Sequence, residues 1–183
     1  LLPAAQNTDK TALNQNQVKE IVDELKPDFD FVLIDCPAGI EQGFMNAIAG
    51  ADSAIIVTTP EISAVRDADR VVGLLEQHPL QEQPHLIINR IRQHMMKDGS
   101  VMDVDEITHH LGVELLGIVF DDDAVITTSN NGEPVVLQAE NPAGQGYRDI
   151  ARRLVGESVP LMEMKDEQQP SFWQKVSHWF HKG

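Results

Sequence analysis

The chain has 183 residues, a formal net charge of −15, 42% hydrophobic residues and a single cysteine, Cys36. That length supports one domain with its own core plus a tail. The acidic balance disfavours direct binding of nucleic acid, whose phosphates need a basic face, and one thiol excludes a disulfide within the chain.

No stretch approaches the roughly 18 apolar residues of a membrane span. The opening Leu1-Leu2-Pro3-Ala4-Ala5 has no basic flank and no long apolar core, so it does not read as a signal peptide. It also lacks an initiator Met, and the expectation is a chain that starts inside a domain.

In chain order, Val18, Ile21, Val22 and Leu25 share one face of a first helix. Phe31-Val32-Leu33-Ile34 follows as an apolar run, then Ala54-Ile55-Ile56-Val57. Val65, Ala68, Val71, Val72 and Leu75 line a longer helix, and Leu86-Ile87-Ile88 is a third run. Ile107 and Leu111 mark a short helix before Leu115-Leu116-Gly117-Ile118-Val119. Tyr147, Ile150, Ala151 and Leu154 form a last body helix with Pro142 near its start. The four runs are continuous and rich in β-branched residues, as strands buried on both faces of a parallel sheet are. The expected fold is therefore α/β, a mostly parallel sheet with helices on both faces. Residues 1–159 form its body, 160–170 a polar, proline-bounded linker and 171–183 an amphipathic helix.

In such a sheet, ligands bind at the carboxyl ends of the strands. The first run ends in Asp35-Cys36-Pro37-Ala38-Gly39. An apolar strand delivering one carboxylate to the site edge has the form of a Walker B element, which helps hold Mg²⁺ directly or through water. Taken alone, an Asp at a strand end is more often a turn or cap residue. The neighbourhood adds Thr58-Thr59-Pro60-Glu61, the helix Ile62 to Arg70, Asn89-Arg90, Phe120-Asp121-Asp122-Asp123 and Ser129-Asn130-Asn131-Gly132-Glu133-Pro134-Val135.

In this order these segments resemble the MinD family, the membrane-cycling ATPases of bacterial division-site selection. They belong to the deviant Walker A ATPases, which include the ParA partition proteins. The similarity runs along essentially the whole chain, down to Leu2-Pro3-Ala4 and Asp9-Lys10. It implies a P-loop NTPase fold, ATP and Mg²⁺ as cofactors, and Asp35 as the Mg²⁺-associated carboxylate. By the same resemblance Asn89 and Arg90 lie beside the adenine, and Asp121 and Asp122 fall in the loop closing over the purine. Phe120 stands where the family usually has proline. Glu61, Arg66, Asp67 and Asp69 occupy the dimer and partner surface; without the resemblance they read as a solvated helix face. The implied partners are a second copy, a MinC-like inhibitor and a MinE-like stimulator.

The G-x-x-x-x-G-K-[ST] loop that cradles phosphates is absent from the sequence. Family logic puts it, and the switch aspartate that positions water, upstream of Leu1. The sheet is therefore expected to lack strands, and this chain alone to bind ATP weakly and not hydrolyse it. The seven histidines have no ligand-like spacing. Cys36 reads as a small buried thiol.

The charge is uneven. Residues 1–160 carry 11 Lys/Arg against 26 Asp/Glu, whereas 161–183 carry three of each. On a helix starting at Phe172, the residues Phe172, Trp173, Val176, Trp179 and Phe180 fall within an arc of about 120°. Lys175 and Lys182 lie on the other side with Gln174, Ser177, His178 and His181. Aromatics with lysines suit the headgroup boundary of an anionic membrane. A dozen residues are too few for a stable helix in water, so one copy should bind weakly. Two copies on a dimer gain about 10²–10⁴-fold in avidity.

The leading expectation is an ATPase that binds the inner face of the cytoplasmic membrane as an ATP-dependent dimer and positions a division inhibitor. The rivals are a flagellar-placement or partition ATPase of the same superfamily, and a non-catalytic membrane adaptor.

Overall fold

Three of the four apolar runs build the sheet. The computed structural model describes residues 14–36, 39–40 and 42–162. Its elements are α1 (Gln15–Leu25), α2 (Gln42–Ala49), β1 (Ile55–Thr58), α3 (Ile62–Gln77), β2 (His85–Ile91), α4 (Gln93–Lys97), α5 (Val104–Leu111), β3 (Glu114–Phe120), α6 (Asp123–Asn130), a 3₁₀ turn (Val135–Leu137) and α7 (Pro142–Leu154). The described strands are parallel in the order β1-β2-β3. Parallel neighbours require crossovers, which here are helical.

Helix boundaries follow local chemistry. Asn14 and Gln17 form a capping box at α1, as do Asp103 and Glu106 at α5. Gly112, at φ 63°, ends α5 in the left-handed conformation that a side chain would resist. Asn141 caps α7, with Pro142 in its first turn.

Leu86, Ile88 and Ile91 of β2 are almost fully buried with Ile56, Val65, Leu75, Ile107 and Leu111, which places α3 and α5 on one face. Phe44 of α2 joins that cluster. On the opposite face Ile87 and Leu116 pack with Ala143 and Ile150 of α7. The two-faced burial expected of β2 and β3 therefore holds. The expected inner face of α7 is corrected at Ala151, which is exposed; Ala143, Gly144, Gly146, Asp149 and Ile150 are the buried positions.

Two expectations about strands change. β1 is buried on one face only. Val57 pairs with Ile87 and shares its face, yet is 59% exposed, because α7 covers β2 and β3 and stops short of β1. Among the described residues Phe31–Ile34 joins no ladder, and Leu33 is 80% exposed. An apolar segment becomes a strand only when a partner satisfies its backbone. Here a cavity of about 1630 Å³ is lined by both Val32–Cys36 and Ile55–Thr59, together with residues of α2, α3 and the end of α7. Among the described residues β1 pairs only with β2, so its other edge faces this space.

Candidate functional site at the strand carboxyl ends

Because the strands are parallel, their carboxyl ends share one edge. β1 delivers Thr58, Thr59 and Glu61, β2 delivers Asn89, Arg90 and Arg92, and β3 delivers Asp121 and Asp122. Asp35 follows the Phe31–Ile34 segment and is exposed. It lines the cavity together with Thr58, Thr59 and Asn89, so two predicted site residues, Asp35 and Asn89, share one space.

The end of β2 is locally distorted. Its pairing with β3 shifts between Ile88 and Ile91, and Arg90 there has φ 57°. A left-handed, non-glycine residue costs on the order of 1–2 kcal/mol and persists only where surrounding contacts hold it. Two contacts do so. The Arg90 backbone N–H donates to Asn89 Oδ1 at 2.9 Å, and its Nε donates to Asp121 Oδ1 at 3.3 Å. The twist keeps Ile91 in the core at 2% exposure while Arg90 and Arg92 both reach Asp121.

Both carboxylate oxygens of Asp121 are thereby engaged. Arg92 Nε donates to its second oxygen, Oδ2, and its backbone N–H donates to Ile91 O at 3.0 Å. The Arg92 hydrogen bond, above all, holds its carboxyl below the usual range; burial opposes it, and the hydrogen bond and charge of Arg90 add to the lowering. Glu61 is also lowered, first by the Thr59 hydroxyl and then by a backbone N–H and the positive field of Arg90 and Arg92.

Asp122 is engaged differently. It caps α6 by accepting from Ala124 N at 2.7 Å, and its other oxygen accepts from Asn141 Nδ2 at 2.9 Å. Phe120 is half-buried against the α3–α5 side of the core. Glu61 is the N-cap residue of α3, and Arg66, Asp67 and Asp69 lie on its exposed surface. Asp67 pairs with Arg70 at 3.3 Å and also lines the cavity.

Cys36, expected to be buried, is exposed; partial burial and then the Asp35 carboxylate raise its pKa, so it stays a thiol at neutral pH. Among the described residues no group of three His, Cys, Asp or Glu side chains could hold a metal ion, and no helix is long and apolar enough to cross a membrane. The predicted membrane-binding residues Phe172, Trp173, Lys175, Val176, Trp179, Phe180 and Lys182 lie outside the described residues.

Sequence reasoning missed Arg92. Its signal was present: in Arg90-Ile91-Arg92 the two cations are spaced to share one side of a strand, opposite the acids that follow β3.

A family model described as an AAA domain matches residues 1–88. The septum site-determining protein MinD of Bacillus subtilis is 58% identical over 180 residues, covering 98% of this chain and 67% of that protein. The MinC:MinD cell division protein complex of Aquifex aeolicus superposes with a TM-score of 0.79 at 41% identity, covering 84% of this chain and 63% of that one. The septum site-determining protein MinD of Pyrococcus horikoshii, solved with Mg-ADP, superposes with a TM-score of 0.67 at 27% identity, covering 77% of this chain and 56% of that one. The chain thus spans between 56% and 67% of these relatives' own length. Similarity at that level along nearly every residue given, joined to a matching parallel α/β architecture, shows that the chain belongs to the MinD family of septum site-determining proteins.

Proposed function

We propose that this chain is the downstream part of an ATP-driven switch. In this reading the intact protein dimerises with ATP, binds the membrane through its tail and positions a MinC-like division inhibitor. The observation that carries this reading is the cavity lined by Val32–Cys36 and β1, with Asp35, Thr58, Thr59 and Asn89 together on its lining. A strand paired with the open edge of β1 would run along this cavity and end at the same carboxyl edge. The phosphate-binding loop, which these residues do not supply, would follow that strand.

The residues present fit the remainder of a nucleotide site. Asp35 offers one carboxylate after the Phe31–Ile34 segment. Mg²⁺ commonly takes one or two protein carboxylates and fills its shell with water and phosphate oxygens, so the absence of a three-residue cluster among the described residues is compatible with it. When bound, the ion would neutralise charge on the phosphates. Asn89 and Arg90 form one wall of the base site. Asp121 and Asp122 hold the facing loop in place, the first through arginines and the second through helix caps.

Glu61, Arg66, Asp67 and Asp69 present the charged start of α3 to a second copy or to a partner. A solved MinC:MinD complex at 41% identity supports a MinC-like partner. A MinE-like stimulator follows from family resemblance alone. The amphipathic spacing of residues 172–182 supports attachment to the inner face of the cytoplasmic membrane.

Sedimentation with anionic liposomes tests the proposal. The complete protein should sediment with ATP and remain in solution with ADP, and the 183-residue chain alone should show no ATP turnover. Binding indifferent to nucleotide would instead make the protein a membrane adaptor. Normal turnover by the 183 residues would overturn the view that the phosphate loop lies elsewhere.

A further inference from the structure

We infer that Arg92 is a positioning residue that latches the loop after β3 to the end of β2, and so sets the wall against which the base of a bound nucleotide rests. The inference rests on the nucleotide-site reading above, but the latch itself is a feature of the fold.

The geometry is specific. Asp121 directly follows β3 and has three ties to the end of β2 and the residue after it: its N–H to Ile91 O, Oδ1 to Arg90 Nε and Oδ2 to Arg92 Nε. The two arginines are not equivalent. Arg90 carries the left-handed backbone, holds Asp121 at the longer distance of 3.3 Å and is 62% exposed at its side chain. Arg92 has ordinary extended backbone, with φ −113°, and a less exposed side chain at 47%. Asp121 itself is 27% exposed.

The division of labour follows. Arg90 is adjacent to Asn89, its companion in the proposed base wall. It can keep a fixed orientation only while Asp121 is fixed. Arg92 supplies that fixation from two positions further along, just before α4. Without Arg92, one carboxylate oxygen loses its partner. The remaining Arg90 pair then swings between two equivalent oxygens, and the strained Arg90 backbone has less to hold it. A base packed against this wall loses contact, whereas phosphates bound elsewhere do not.

The test uses the complete protein and compares Arg92→Ala, Arg92→Lys and Asp121→Asn. Calorimetric affinities for Mg-ADP and for Mg-pyrophosphate separate base from phosphate. Arg92→Ala should weaken ADP by about three- to fivefold, as expected for a partly exposed charged contact, and leave pyrophosphate within twofold. Arg92→Lys should recover part of the loss. Asp121→Asn should reproduce it, with no further loss in the double variant. Hydrogen exchange at residues 121–125 of the nucleotide-free protein reads the latch directly and should quicken in Arg92→Ala. Unchanged exchange would overturn the latch. Equal weakening of ADP and pyrophosphate, or none of either, would overturn the positioning role while the nucleotide reading stands. A wild-type protein that binds pyrophosphate but gains nothing from the nucleoside would overturn the base site and this role together. With that result, quickened exchange in Arg92→Ala would leave Arg92 as a structural tie alone.

Discussion

Asp122 and Asn141 each cap a helix and are hydrogen-bonded to one another. Asp122 Oδ1 accepts from the first turn of α6, Asn141 Oδ1 accepts from Gly144 N in the first turn of α7, and Asn141 Nδ2 donates to Asp122 Oδ2 at 2.9 Å. Two helix N-termini 19 positions apart are thus fixed by one shared pair of side chains.

Removing either cap should therefore cost more than a local fray. Asn141→Ala is expected to lower stability by about 1–2 kcal/mol, the range of a lost N-cap, and Asp122→Ala by a similar amount. Because the residues touch, the double variant should fall short of the sum by about 0.5 kcal/mol or more. Urea unfolding of the four proteins measures the coupling. Strict additivity would mean the bridge contributes nothing.

Gly146 and Gly73 should respond oppositely to alanine. A Cβ at Gly146 would stand 2.7 Å from Ile118 O, a backbone atom of the central core that cannot step aside. Gly146→Ala should destabilise by about 1–3 kcal/mol, as overpacking does. A Cβ at Gly73 meets nothing within 4 Å, so Gly73→Ala should stabilise α3 by up to about 1 kcal/mol. Thermal melts decide both signs.

The Arg92–Asp121 pair predicts a stability profile at low pH. Asp121 titrates below its unfolded value in the folded protein. Its contribution is therefore complete at pH above the unfolded carboxylate value of about 3.9. Between that value and the lower folded one, the unfolded chain binds the extra proton, so the contribution is lost as pH falls through that window. Asp121→Asn should show a shallower acid decline than wild type below about pH 4 and a lower but parallel curve at neutral pH. Identical acid declines would show that Asp121 carries no linkage.

The tail gives an independent expectation. Trp173→Lys or Trp179→Lys should abolish liposome sedimentation of the intact protein and leave its unfolding transition unchanged, since each puts a charge into the apolar arc. Unchanged sedimentation in either variant would remove the tail from the membrane-binding model.

Much of the architecture was legible because burial imposes pattern. Leu86-Ile87-Ile88 is apolar without alternation because helices cover both faces of β2. The same reasoning over-read Phe31–Ile34. Its composition is that of a buried strand, but a ladder needs a neighbour, and pairing is not a property of one segment. The short helices α2, α4 and α6 were not anticipated. α6 carries Thr127, Thr128, Ser129 and Asn130, residues with weak helix preference, and it is started by the Asp122 cap instead. At the site, the strand-end residues were visible as an ordered set of motifs. That Asp121 would be shared by two arginines was not, because Arg92 and Asp121 are 29 positions apart.

By itself, then, the sequence determined the parallel α/β plan, the strand-end residues and the family, since these follow from local periodicity and from motifs in fixed order. Only the tertiary structure decided which groups at the strand ends are already engaged, that β1 presents an open face and edge, and that one cavity is lined by both β1 and the segment bearing Asp35. Those depend on register, on the left-handed turn at Arg90 and on which surfaces find a partner. Such relations are made between distant residues, and no single stretch of chain encodes them.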